Sequence, residues 1–404
     1  MAKPKPKSKA QSQPAKQAGW LQSILPSLRV AGLAWLAARI VTIIGGWIGI
    51  ALIPTADGKL RSPAEFGLIK SFSGWDSAWY LNIVQNGYRW VGLQGGQQNV
   101  AYFPLYPLLT KILSWPFPGS AMTIELVLAW AAFFAGLVAF HQLALLESSP
   151  EASQAATFFV ALVPGALFYF MGYTEALFLV LTVCAFLCAR RRAWWISAVF
   201  AFFAALTRST GFLIVAPLAV EWFQQRREAK QPYFSWEALS LVAAPAGLAA
   251  FFAYLYLRFH DALVWLHAEQ AWHPQMMWFG ATLTREFAYI AQNPWWALLP
   301  QFNVNVPLTM DFDWAMMLIT VALVAAAARR LRWGYLVWAA ILLIAPLQTG
   351  QSWDMVRYSA AVFPAALAFG YLIKNPRLQT TWFAISASLL TLASAVSVSG
   401  RFLS

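Results

Sequence analysis

From residue 29 to residue 398 the chain passes through a succession of apolar segments separated by short polar breaks. They run over 29–53, 121–146, 153–171, 174–189, 193–207, 211–224, 237–259, 313–328, 334–348, 357–373 and 380–398. A water-soluble domain cannot bury that many. Soluble domains carry about 25% charged residues, whereas this chain of 404 residues carries 11%, and 60% of it is hydrophobic. The pattern predicts an all-α polytopic membrane protein, a bundle of about eleven transmembrane helices. Several segments fall short of the ~20 residues a helix needs to cross the hydrocarbon core, so their ends extend or some helices are only partly embedded. One transmembrane domain is expected over 29–404, preceded by a basic cytoplasmic tail, 1–28. In that tail Lys3, Lys5, Lys7 and Lys9 alternate with Pro, Ser and Ala, too little apolar surface to fold. No signal-peptide cleavage pattern follows it, so the first span is expected to be retained.

The net charge of +12 invites a nucleic-acid reading. The placement of the charge argues against one. Arg190-Arg191-Arg192, Arg226-Arg227 with Lys230, Arg329-Arg330 with Arg332, and Lys374 with Arg377 are short clusters between apolar segments, as membrane topology requires. Parity then depends on 100–118, which is apolar but broken by Pro104, Pro107, Pro116 and Pro118. If it does not cross, all four clusters share the side of the basic tail, so an interfacial helix is expected there, inside a first extracytoplasmic loop over 54–120. The outward side also receives Gly172 to Glu175, Thr207 to Gly211, the loop 260–312 and Thr349 to Arg357. Nearly every unusual polar group falls in these loops. The inward loops read as plain anchors, and the 22 tryptophans fit an interfacial belt.

Asp76 sits in Gly74-Trp75-Asp76-Ser77-Ala78-Trp79-Tyr80, at the start of an amphipathic helix. A carboxylate between tryptophans loses solvation and suits a general base for a sugar hydroxyl; equally, an aspartate at a helix start serves as an N-cap. Arg208, between two spans, is costly near a bilayer unless an anion meets it, and a lipid phosphate would do so with charge-assisted bonds. Snorkelling, or pairing with Glu175, is the plainer reading. Tyr173 and Glu175 form a polar turn whose carboxylate either orients Arg208, binds a sugar or sits at a helix entry. Arg357 opens another helix, where it opposes the macrodipole and so points to a second phosphate contact. His267, Gln270 and, less well, His273 share a face of one short helix within Trp265 to His273 and suggest an aromatic and hydrogen-bonding sugar surface, from which Glu269 points away into solvent. Arg39 is a further charge in mid-span.

The histidine spacing is not HExxH, so no metal is expected. No Walker motif, GxGxxG or GxSxG occurs, and a nucleotide-driven reaction has no visible seat. Cys184 and Cys188 lie four apart in one apolar segment and read as packing.

These residues together resemble the PIG-V-like mannosyltransferase family. The resemblance is carried by Trp75-Asp76 through Asn86-Gly87-Tyr88, Phe103-Pro104-Leu105-Tyr106-Pro107, Pro164, and Tyr173-Thr174-Glu175-Ala176-Leu177-Phe178. Ala204 through Gly211 and Arg357-Tyr358 with Phe363-Pro364 complete it, in consistent order from about 29 to 373. It implies a GT-C fold and an inverting transfer of a sugar, mannose in most relatives, on the outer face, from a polyprenyl-phosphate donor to a lipid or glycan acceptor. It also implies Asp76 as base and maps a family glutamate onto Glu175 and a family arginine onto Arg208. Beside the resemblance, Arg208 and Arg357 are expected at the donor phosphate, and Trp75, Tyr102, Tyr173, Glu175, His267 and Gln270 at or near the substrate. The first loop is short and the tail proline-rich, which points to a prokaryotic plasma membrane and away from a GPI acceptor. Two rival readings are a transporter or flippase of lipid-linked sugars and a scaffold acting with a membrane partner subunit.

Overall fold

The protein is described by a computed structural model over residues 20–54, 67–272, 278–292, 309–349 and 354–399. Within these residues the chain is helical, with no strand. The helices are α1 (Trp20–Leu52), α2 (Leu68–Ser71), α3 (Asp76–Asn86), α4 (Leu105–Ser114), α5 (Ala121–Glu147) and α6 (Pro150–Leu162). After them come α7 (Glu175–Arg190), α8 (Trp194–Ala205), α9 (Val215–Glu228), α10 (Ala243–Phe259), α11 (Val264–Glu269) and α12 (Phe279–Gln292). The chain closes with α13 (Thr309–Ala326), α14 (Trp333–Ile344), α15 (Met355–Ala361), α16 (Phe363–Leu372) and α17 (Pro376–Val398).

Every apolar segment read from the sequence corresponds to helix. Among the described residues, four helical stretches are long and apolar enough to cross a membrane: Ile24–Leu52, Ala121–Glu147, Trp236–Phe259 and Pro376–Val398. The pair α15 and α16, bent by 68°, makes a fifth, and shorter apolar helices complete the bundle. The short spans have a local cause. Pro164 cannot continue α6, so 153–171 divides into α6 and a 3-10 turn, Pro164–Tyr169. Helix α4, ten residues long, covers only ~15 Å, half the hydrocarbon thickness. It buries Leu105, Tyr106 and Thr110 and exposes Leu108, Ile112 and Leu113, as an interfacial helix does.

The start of α1 corrects the expected tail. The helix begins at Trp20, so residues 20–28 are helical, while 1–19 lie outside the described residues. The cause is a polar anchor: Ser27 is buried, meets His141 Nδ1 at 2.8 Å, and accepts from Gln142 Nε2 at 2.6 Å. At its other end α1 packs on α17 through Gly45 and Gly49, where an added Cβ would strike the backbone carbonyls of Thr391 and Ala395. Gly49→Val is therefore expected to destabilise the bundle by about 1–3 kcal/mol, the usual cost of overpacking. Thermal unfolding in detergent measures this, and an unshifted midpoint would contradict the close approach.

The polar residues segregate to two ends of the bundle. Helix α7, 16 residues long, has Glu175 at its start and Arg190 at its end, roughly 22 Å apart. Around Arg190 the helices are tied by ion pairs: to Glu147 at 2.6 Å and to Glu221 at 3.2 Å, with Arg332 meeting Glu221 at 2.8 Å. Tyr335 donates to Glu147 at 2.8 Å, and Glu221 is fully buried. The basic clusters at this end are thus more than plain anchors. Arg190 and Arg332 are consumed in a network that closes the bundle from α5, α7, α9 and α14.

Candidate functional site

The other end gathers the candidate residues. Helix α3 starts at Asp76, but its N-cap is Trp75, held at φ 57°. That backbone region is unfavourable for a bulky residue and recurs at functional sites. The Asp76 side chain does not cap the helix. Its Oδ1 accepts from the Tyr102 hydroxyl at 3.1 Å, and its Oδ2 meets Arg357 Nη1 at 2.7 Å. The N-cap reading of Asp76 is therefore set aside by geometry.

Arg357 is the junction. On the first turn of α15, its Nη1 reaches Asp76 while its Nε donates to Glu175 Oε1. Glu175 Oε1 also accepts from Arg208 Nη1, which donates to Thr174 Oγ1 at 3.2 Å as well. Two carboxylates and two guanidiniums, from α3, α7, the turn after α8, and α15, thus form one continuous chain with no net charge. Aromatic rings flank the cations: Tyr173 lies 4.7 Å from the Arg357 guanidinium, and Tyr358 lies 5.4 Å from that of Arg208. Tyr173 also accepts, at its hydroxyl, the backbone N–H of Asp76 at 3.4 Å. Opposing the macrodipole at the start of α15 is thus tolerable for Arg357, because two carboxylates surround it.

Local backbone features set these positions. Arg208 is extended, φ −149°, between α8 and a 3-10 turn, and Gly211 packs so close to the Ala204 carbonyl that no Cβ fits. Gly172 lies equally close to Glu125 and Ser77. Glu125 is buried at the start of α5, accepts from Ser77 at 2.6 Å, and so braces the first turn of α3 beside Asp76. Sequence reading passed over Glu125, since a lone glutamate at a helix start carries no signal of its own.

The 260–272 region departs from expectation. His267 is half-exposed and meets Asp261 Oδ2 at 2.9 Å, Gln270 is exposed, and His273 lies outside the described residues. Among the described residues no hydrogen bond or ion pair joins His267 or Gln270 to Asp76. Glu269, expected in solvent, is half-buried instead, and its carboxyl is pushed up to about 7 by burial, with the Asp76 charge adding to the shift. Trp272 packs against Trp79 and Tyr102, at 5.8 Å and 6.0 Å. Helix α11 ends at Glu269, and Gln270 to Trp272 continue as a turn.

A folded carboxyl at about 7 binds more protons than an unfolded one at about 4.3, so between those values stability falls as pH rises. Glu269→Gln should remove that slope. Melting temperatures from pH 5 to pH 8 measure it, and an equal slope in wild type and variant would contradict the burial of Glu269.

Arg39 lies inside the bundle, ringed by Trp35, Phe133 and Phe170 at 5.6, 5.2 and 4.3 Å. Its guanidinium makes no hydrogen bond among the described residues. Among those residues no three His, Cys, Asp or Glu side chains gather as metal ligands.

The family profile described as Mannosyltransferase (PIG-V) matches residues 58–297, more than half of the chain and most of this cluster. The chain belongs to the PIG-V mannosyltransferase family. GPI alpha-1,6-mannosyltransferase 2 of Homo sapiens is 29% identical over 201 residues, 45% of this chain and 40% of that protein. The Rattus norvegicus protein of the same name is 31% identical over 202 residues, with the same coverage. The chain thus spans about two fifths of the length of the curated relatives it matches. Among solved structures, it is similar to the oligosaccharyltransferase of Archaeoglobus fulgidus in the apo form. Identity is 14% and TM-score 0.49, over 95% of this chain and 57% of that one. Of this PIG-V member's cluster, Arg357 lies beyond the matched stretch and joins it only through folding.

Proposed function

We propose that this PIG-V member is an inverting glycosyltransferase of the GT-C class that moves mannose from a polyprenyl-phosphate donor to a lipid or glycan acceptor at the outer membrane face. The observation that supports it best is the unbroken chain Asp76–Arg357–Glu175–Arg208, drawn from positions 76 to 357 into one cluster. In this reading Asp76 takes the proton of the acceptor hydroxyl as its oxygen attacks the anomeric carbon. The anomeric carbon–oxygen bond breaks, and the phosphate leaves with the electron pair. Arg208 receives the phosphate, since among the described residues its Nη1 carries all its hydrogen bonds and its remaining nitrogens are uncommitted. Arg357, bound to both carboxylates, fixes Asp76 and completes the positive wall against which the leaving group departs. No metal or other cofactor is required by this scheme.

The transporter reading needs a polar pathway through both ends of the bundle. The ion-pair closure around Glu221 at the far end argues against it. Reconstitution of the single purified chain in vesicles with radiolabelled mannosyl lipid phosphate decides. Transfer without vectorial movement supports the enzyme, and movement of intact donor between leaflets without transfer overturns it. Activity that appears only with a second membrane subunit would transfer part of the site to that partner.

A further inference from the structure

Asp76 presents two different sides. Its Oδ2 faces the cations through Arg357, and its Oδ1 faces an aromatic corner through the Tyr102 hydroxyl. In that corner Trp79 lies nearly parallel to Tyr102, with centroids 5.9 Å apart and planes at 17°. Trp272 stands edge-on to both, at 76° and 83°. All three rings are half-buried, so part of each remains accessible. Trp272 has a buried indole N–H with no hydrogen-bond partner among the described residues. Trp265, Trp314, Trp338 and Trp382 share this feature, and at Trp272, beside the ring that bonds Asp76, such a donor suits an occupant with an acceptor oxygen. Half-buried aromatic rings set at right angles, a buried unpaired indole N–H and a carboxylate bonded to one of the rings match a neutral pyranose, whose C–H face is apolar and whose rim carries hydroxyls.

We propose that the corner formed by Trp79, Tyr102 and Trp272 seats the acceptor's pyranose ring, with the attacking hydroxyl directed at Asp76. The assignment to acceptor rather than donor rests on the transferase reading above. In an inverting displacement the nucleophile enters opposite the leaving phosphate, and the corner meets the Asp76 oxygen that Arg357 does not hold. Sugar occupancy itself rests only on the rings and the orphan donor.

The test is saturation-transfer NMR on the full chain in nanodiscs, with methyl α-mannopyranoside as probe. Wild type should give signal, and Trp272→Ala and Trp79→Ala should weaken it by about five- to tenfold. Trp272→Phe, which keeps a ring and loses the N–H, should retain part of it and guards against misfolding. Adding a short-chain prenyl-phosphate mannose should leave the signal in place, because donor and acceptor occupy different seats. No signal in wild type, or equal signal in wild type and both alanine variants, overturns the site. Displacement by the donor overturns its assignment to the acceptor. The NMR signal does not depend on turnover, so absent transfer activity alongside an intact signal would sink the transferase reading and leave the sugar site standing.

Discussion

Asp76→Asn is expected to lower turnover by about 10²–10⁴-fold, the range that general base catalysis supplies. The amide keeps an oxygen that can accept from Tyr102 or Arg357, while losing the basicity that takes up the hydroxyl proton. Arg357 retains Glu175 in the variant, so its guanidinium is not left buried alone. Folding should therefore be little changed, and the loss should appear in kcat with lipid-phosphate mannose rather than in the melting temperature. Wild-type turnover in the variant would remove Asp76 from the reaction, and the surrounding arginines would then need another purpose.

The second large effect falls on stability. Glu175 is 3% exposed, and one of its oxygens holds both Arg208 and Arg357. Glu175→Gln leaves two guanidiniums against the single charge of Asp76. Breaking a buried pair by neutralising one partner costs about 3–5 kcal/mol, because the surviving charge stays desolvated. Unfolding in detergent should show a loss of that order, well beyond the effect of Asp76→Asn. Combining it with Arg208→Gln should recover part of the loss, since the unpaired cation goes too, and the shortfall from additivity measures the coupling. A Glu175→Gln protein as stable as wild type would mean that the shared carboxylate does not hold α7, α15 and the Arg208 turn together.

These two residues also separate what could be read in advance from what could not. Asp76, Glu175, Arg208 and Arg357 were legible singly, because a charge near apolar segments is costly wherever the fold puts it and so marks itself in sequence. Their connection was not legible. Pairing Arg208 with Glu175 was one of several options, and nothing local indicates that Arg357 joins the carboxylates of α3 and α7. Tyr102 was expected near the substrate and bonds Asp76. His267 and Gln270 were expected there too and do not join the cluster, because α11 stops before the periodicity that would have aligned them. Glu125 carried no signal, being a lone acid at a helix start, whereas Trp272 lay in a stretch expected to offer an aromatic sugar surface.

The sequence by itself determined the class of molecule. The low charge content, the run of apolar segments, the proline-broken interfacial stretch and the short motifs led to a helical membrane bundle of the PIG-V kind. Those features follow from transfer energies of individual residues, and such energies are local and additive enough to read along a chain. Only the tertiary structure decided partnership: which cation shares which carboxylate, which rings form a corner beside Asp76, and which end of the bundle is tied shut by Glu221. Partnership depends on distances of a few ångströms between segments hundreds of residues apart, and those distances are set by how helices pack rather than by what any one segment prefers.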